Sequence, residues 1–457
     1  MNLLVKDKCF YEKMAVIAIP ISLQSMITIG VNMTDTVMVG MLGETSLSAT
    51  ALANQFVNIY QICCMGIAMG ASVLTSRFWG MQDITSLKKT ITLMLRLCIV
   101  LAVLFMLPTI LIPQLLMRMY TNDSAVIAQG VQYFKWMVYC YFLQGMTMTC
   151  TIVLRSVGQV NFPLFTSIGS FFVNILFNYM FIFGKLGVPR MEVEGAGVGT
   201  LIARVFEFSL ICGYFLFVDR KIGYRLKDLR MKCNSLIKDY VSISIPVFVS
   251  DSLLALGTSA VAMVMGRIGT GFVSANSITV VTQQLTTVII QGICHASCIM
   301  TGHTLGHGER EKAQQQAWTF LILGLVVGIL GGGLIKVLSR PIIGLYNITP
   351  ETAQIAGELM DAIAFIVIFQ SMNSILTKGV LRGGGDTKFL MVADIIFLWA
   401  ASLPLGILAG LVWHLDAFWI YVFLKIDQIC KSIWCVFRLR SGKWIKTFSK
   451  EKMNHAK

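Results

Sequence analysis

The chain has 457 residues, of which 56% are hydrophobic and 13% are Asp, Glu, Lys or Arg, with a formal net charge of +14. Soluble domains carry about 25% of those charged types, and the apolar residues here come in runs of about 20, the length that crosses a hydrocarbon core about 30 Å thick. A soluble enzyme, a secreted disulfide scaffold and a disordered chain are excluded together, which leaves a polytopic all-α membrane protein. The basic excess does not point to nucleic acid, because the Lys and Arg residues are spread along the chain at the ends of apolar runs. Ten of the twelve Cys lie inside those runs, where a free thiol is a small hydrophobe.

Twelve transmembrane helices are predicted, near residues 14–40, 49–75, 90–113, 130–154, 162–184, 196–218, 240–266, 274–300, 314–338, 356–380, 389–412 and 416–438. The first run, from about Met14, is long enough to span and has no small-residue cleavage site, so it reads as an uncleaved first helix. If the N-terminus is cytoplasmic, the tail, each even-to-odd connection and the C-terminus should be rich in Lys and Arg. They hold 26 of the 37, with seven between Arg220 and Lys238 alone. A wrong span count would scramble that alternation, so both termini are expected inside.

The chain also repeats itself. A shift of 226 residues places Ile19-Pro20 on Ile245-Pro246, Gly40 on Gly266, Gly43 on Gly269 and Ser48-Ala49 on Ser274-Ala275. A shift of 227 places Leu154-Arg155-Ser156-Val157-Gly158 on Leu381-Arg382-Gly383-Gly384-Gly385. The expected organisation is an N-terminal six-helix lobe over 1–218, a basic cytoplasmic linker over 219–239, a C-terminal six-helix lobe over 240–438 and a basic tail over 439–457. Six is even, so the lobes share one orientation, a parallel internal repeat of the kind found in many secondary transporters. No phosphate-binding loop appears in the sequence, so transport would run on an ion gradient, with no cofactor and no enzymatic step.

Several motifs resemble the multidrug and toxic compound extrusion (MATE) family along nearly the whole chain. They are Pro20 through Asn32, Asp35, Val39-Gly40 and Leu42-Gly43 to Ala49; Leu154 to Gly158; Gly195-Ala196-Gly197; Gly379 to Thr387; and Arg438 to Trp444. Each is short, but the set in this order is specific. The resemblance implies a bacterial inner-membrane exporter of organic, often cationic, compounds in exchange for Na+ or H+.

A carboxylate inside a span is costly and marks a functional site by default. Asp35 is flanked by Asn32, Met33, Thr34 and Thr36. It could ligate Na+ or carry a proton whose affinity a dry site tunes; the plain alternative is an anchor near the outer interface. Asn174 and Asn178, four apart, share one helix face, where two amides are equally apt as glue between helices. The resemblance places both beside Asp35 and adds Thr200. The repeat puts Val261, Ala401 and Leu405 opposite Asp35, Asn174 and Asn178, and some family branches carry acids where this chain has Leu254 and Ser371. One coupling site, in the N-terminal lobe, is therefore expected. Asp251, beside Ser250 and Ser252, is either a contact for cationic substrates or an internally bonded structural acid. Arg204 with Glu207, and Asp427 with Lys431, are expected to neutralise each other, and Asp394 to reach the basic loop.

Other readings fare worse. Gly383-Gly384-Gly385-Asp386 fits the pattern of intramembrane aspartyl proteases, but no second span supplies the facing carboxylate that their chemistry needs. Cys294, His295, Cys298, His303 and His307 lack the paired spacing of a metal site. A channel would need a filter-like segment. A flippase of anionic lipid or lipid-linked oligosaccharide, the main alternative, would need basic residues deep in the spans, where Arg204 stands alone. The expected partners are small organic molecules and membrane lipids, with no nucleic acid, and the protein is expected to be a monomer.

Overall fold

The computed structural model describes residues 4–447 except 345 and 347, so the end of the predicted tail lies outside the described residues. In the first half, the helices are α1 (Lys8–Gly40), α2 (Glu44–Gly80), α3 (Ile84–Leu111), α4 (Pro113–Arg118), α5 (Ser124–Ser156), α6 (Asn161–Phe183) and α7 (Glu192–Gly213). The second half has α8 (Asn234–Ile268), α9 (Thr270–Gly306), α10 (Arg310–Ile343), α11 (Pro350–Ser374), α12 (Thr387–Asp394), α13 (Leu403–Ile407), α14 (Ala417–Leu424) and α15 (Ile426–Arg440). No strand occurs among the described residues. A helix satisfies its backbone internally, as a lipid-facing segment must.

All twelve predicted spans fall on helices, and among the described residues eleven helices are long and apolar enough to cross a membrane. The exception is the twelfth. Instead of one helix over 416–438 it is α14 and α15, interrupted at Lys425 (φ −120°, ψ 13°). Ser402 supplies the reason: its hydroxyl donates to the Leu424 carbonyl at 2.5 Å, inserting into the turn where the helix bends. The eleventh span is irregular too. α12 runs into a π-helical segment over Ile395–Ser402, then α13, then a second over Leu408–Val412.

The chain forms two compact units, Leu23–Ser244, and the residues up to Ser22 together with those from Ile245 onward. Each boundary lies inside a helix and beside its proline, Pro20 in α1 and Pro246 in α8. Proline removes one backbone hydrogen bond and bends a helix, so each long helix divides where it is weakest. The start of α1 is held in the second unit. There the Val5 N–H donates to Thr319 at 3.0 Å, and Phe10 stacks on Phe320. The start of α8 is held in the first, where the Tyr240 hydroxyl donates to the Ile67 carbonyl at 2.9 Å.

Local geometry repeats as the sequence does. Gly158 and Gly385 close the same turn with φ of +79° and +85°, the left-handed region open to glycine. Small residues bring the helices close. A Cβ at Gly328 of α10 would lie 2.7 Å from the Ile368 Cα of α11.

Candidate cation site and the paired acids

Asp35 lies in the last quarter of α1, past Pro20, and is half-buried. From α6, Asn178 Nδ2 donates to Asp35 Oδ1 at 2.6 Å and also approaches Asn174 Oδ1 at 3.3 Å. Both asparagines are buried, at 3% and 1% exposure, because their spacing stacks them on the inner face of α6. Asn178 Oδ1 is buried with no hydrogen-bond partner. It faces Gly199 of α7, where any Cβ would strike it. A carboxylate and two amide oxygens, one without a donor, are hard-oxygen ligands of the kind Na+ accepts, and the carboxylate alone can take a proton.

The other expected residues are placed less uniformly. Thr200 follows Gly199 but forms no side-chain hydrogen bond among the described residues, and Asn32 is exposed. Arg204 is near enough for its charge to act on Asp35. It spends its guanidinium on Glu207, at 2.8 Å, as the spacing predicted. Asp35 itself has no ion pair among the described residues.

In the second unit, Asp251, Asp394, Asp427 and Asp386 are all ion-paired. Asp251 Oδ1 meets Arg382 Nη2 at 3.2 Å. Lys431 meets Asp427 at 3.0 Å, as expected, and Asp394 at 3.1 Å. Asp394 therefore does not reach the basic loop: α12 turns it inward, where Ser250 also donates to it. Asp386 is closed by Arg438 at 2.7 Å and Lys446 at 3.2 Å. Arg155 and Arg382, counted among the loop charges from sequence, are drawn in against the first helix of their own half. Arg155 bonds Gln24, and Arg382 is 5% exposed against Asp251.

Sequence reasoning found the pairs with helical spacing and missed those between helices, for which no local spacing exists. The repeat held a signal that would have found one of them. It aligns Arg155 with Arg382 and Gln24 with Ser250, the neighbour of Asp251, so the same arginine-to-first-helix contact occurs in both halves. A cavity of about 1380 Å3 lies elsewhere, between residues 5–13 and 300–316, and mixes Lys6, Lys13 and Arg310 with Asp7, Glu309 and Glu311.

A chain of membrane-crossing helices in two repeated halves, with an unpaired carboxylate held by amides in one of them, has the makings of a polytopic membrane carrier. A profile of the MatE family matches residues 20–180 and 246–429, and the chain belongs to that family. It is 24% identical over 436 residues to a probable multidrug resistance protein NorM of Thermotoga maritima, covering 94% of this chain and 92% of that one. It is also 24% identical over 419 residues to the uncharacterized transporter YisQ of Bacillus subtilis, covering 90% of each. Among solved structures, the Vibrio cholerae MATE transporter VcmN in its bent form matches with a TM-score of 0.86 at 16% identity, over 95% of this chain and 97% of that one. An outward-facing multidrug resistance MATE family transporter matches at 0.83 and 18%, over 95% and 96%.

Proposed function

We propose that the protein is a secondary active multidrug exporter that exchanges organic, often cationic, compounds for Na+ or H+ by alternating access of its two lobes. Asp35, Asn174, Asn178 and Thr200 form the coupling site. The observation that carries this reading is the contrast in charge. Glu207, Asp251, Asp394 and Asp427 each hold a cationic side chain in an ion pair, whereas Asp35 is half-buried inside a span, hydrogen-bonded by an amide, with the nearby Arg204 paired to Glu207. A carboxylate kept in that state has room for one monovalent cation, and burial makes its charge costly until the cation arrives. Binding the coupling ion and binding a cationic substrate then compete for the same charge, which is the requirement for exchange.

Asp251 is a second candidate contact for cationic substrates, available once its pair with Arg382 opens. The flippase alternative gains nothing, since the arginine expected near a span centre, Arg204, is engaged by Glu207, and Arg382 is engaged by Asp251. The setting is a bacterial inner membrane with both termini cytoplasmic, and the protein acts as a monomer.

Ethidium efflux from proteoliposomes, with a Na+ or a pH gradient imposed separately, tests the proposal. Wild type should respond to one gradient, and Asp35→Asn should lose at least about ten-fold of that rate, about 1.4 kcal/mol. Efflux that survives the substitution would remove Asp35 from coupling.

A further inference from the structure

Arg155 and Arg382 stand at equivalent positions of the repeat, and each reaches the first helix of its own half, but only one of them meets an anion there. Arg382 Nη2 lies 3.2 Å from Asp251 Oδ1. Arg155 Nη2 donates instead to the neutral Gln24 Oε1. That amide is held in its orientation, because Gln24 Nε2 donates to the Ser167 hydroxyl of α6 at 2.8 Å. Gln24 and Ser167 are each 8% exposed. Of the other guanidinium atoms of Arg155, Nε is buried without a partner, and Nη1 forms no hydrogen bond among the described residues. A guanidinium has donors only, so what Arg155 still lacks is an acceptor.

No side chain of the first half supplies the missing charge. Arg155 has no ion pair among the described residues, and no charged side chain there offsets the cost of its burial. The acids of this half are committed elsewhere. Asp219 is tied to the turn after α5 through Gln159 Nε2 at 2.9 Å, but it also accepts from the N–H groups of Ile222 at 2.9 Å and Gly223 at 3.3 Å. Asp83 accepts from the N–H and the hydroxyl of Ser86. Glu207 holds Arg204, and Asp228 holds Lys88. A buried cation with one neutral acceptor costs free energy that a counter-charge would recover. Arg155 is half-buried and not sealed, so an ion can reach it from outside.

We propose that Arg155 binds one small monovalent anion of the chloride class beside Gln24, doing for the first half what Asp251 does for the second. The valence follows from the single positive charge, which Asp251 matches with a single negative one at Arg382. The size follows from the packing, since Gln24 and Ser167 are nearly closed to solvent. The anion neutralises the arginine that joins the end of α5 to α1, so its binding stabilises that contact in the folded protein. The site is separate from Asp35 and does not depend on the exchange reading.

Thermal unfolding of the purified full-length protein in detergent tests this without any transport, with chloride replacing the bulky anion gluconate at constant Na+. Chloride should stabilise wild type along a saturating curve, by about 2 °C or more. Arg155→Gln should unfold at the same temperature in both anions. Gln24→Glu builds the counter-charge into the chain, as Asp251 does in the second half. It should unfold above wild type in gluconate and gain nothing from chloride. The absence of a chloride response in wild type would overturn the proposal, as would a response that survives unchanged in Arg155→Gln. Should Arg155→Gln fail to fold, an undiminished response in Gln24→Glu would overturn it instead.

Discussion

The two halves use the same arginine differently. In the first, Arg155 at the end of α5 bonds the neutral amide of Gln24, which also donates to Ser167 at 2.8 Å. In the second, the equivalent Arg382 is ion-paired to Asp251. The pattern extends inward. The first half keeps Asp35 without an ion pair among the described residues, while the second closes Asp251, Asp394 and Asp427 on a lysine or arginine. A duplicated scaffold thus holds one half electrostatically open and the other internally balanced. A carboxylate can answer to an ion from outside only when no side chain has answered it first.

Breaking the balanced half should have the largest effect. Lys431→Met strands two buried carboxylates and should destabilise the protein by about 3–5 kcal/mol, read as thermal unfolding in detergent. A loss under about 1 kcal/mol would mean that the pairs contribute little. The two arginines sharpen the comparison directly. Arg382→Gln should cost about 3 kcal/mol because Asp251 is left unpaired, and Arg155→Gln about 1–2 kcal/mol because only an amide contact is lost. The gap should close in an Asp251→Asn background, and a gap that persists there would show that the pair is not its source.

The smallest effect belongs to the connection between the halves. Asp228 lies there, beside Lys88 at 2.9 Å. Burial pushes its carboxyl up, but bonds from Lys88 and from the Arg225 N–H bring it below its usual range. Its stabilisation is then present above the unfolded pKa and lost as the pH falls through the folded one. Asp228→Asn should cost about 1 kcal/mol at neutral pH, and the difference from wild type should shrink below about pH 4. A pH-independent difference would exclude the ion pair as the cause.

Much of this was legible in order along the chain. Apolar run length fixes span number because the bilayer core has one thickness, and the spacing of basic residues checks it. The repeat emerges from Pro, Gly and Arg in register. Helical spacing alone stacks Asn174 on Asn178, and pairs Arg204 with Glu207 and Asp427 with Lys431, because residues three or four apart share a helix face whatever the helix packs against.

What the sequence could not settle lies between helices. That Asp394 turns to Lys431 and Ser250 and not to the loop, that Asp251 closes on Arg382, and that Ser402 breaks the twelfth span at Lys425 depend on which helix faces meet. The same holds for Asn178, whose carbonyl is left without a donor against Gly199. Local patterns determine which residues a helix can offer on one face. Only tertiary packing, which brings together residues more than a hundred positions apart and excludes water from between them, decides which charges are already answered.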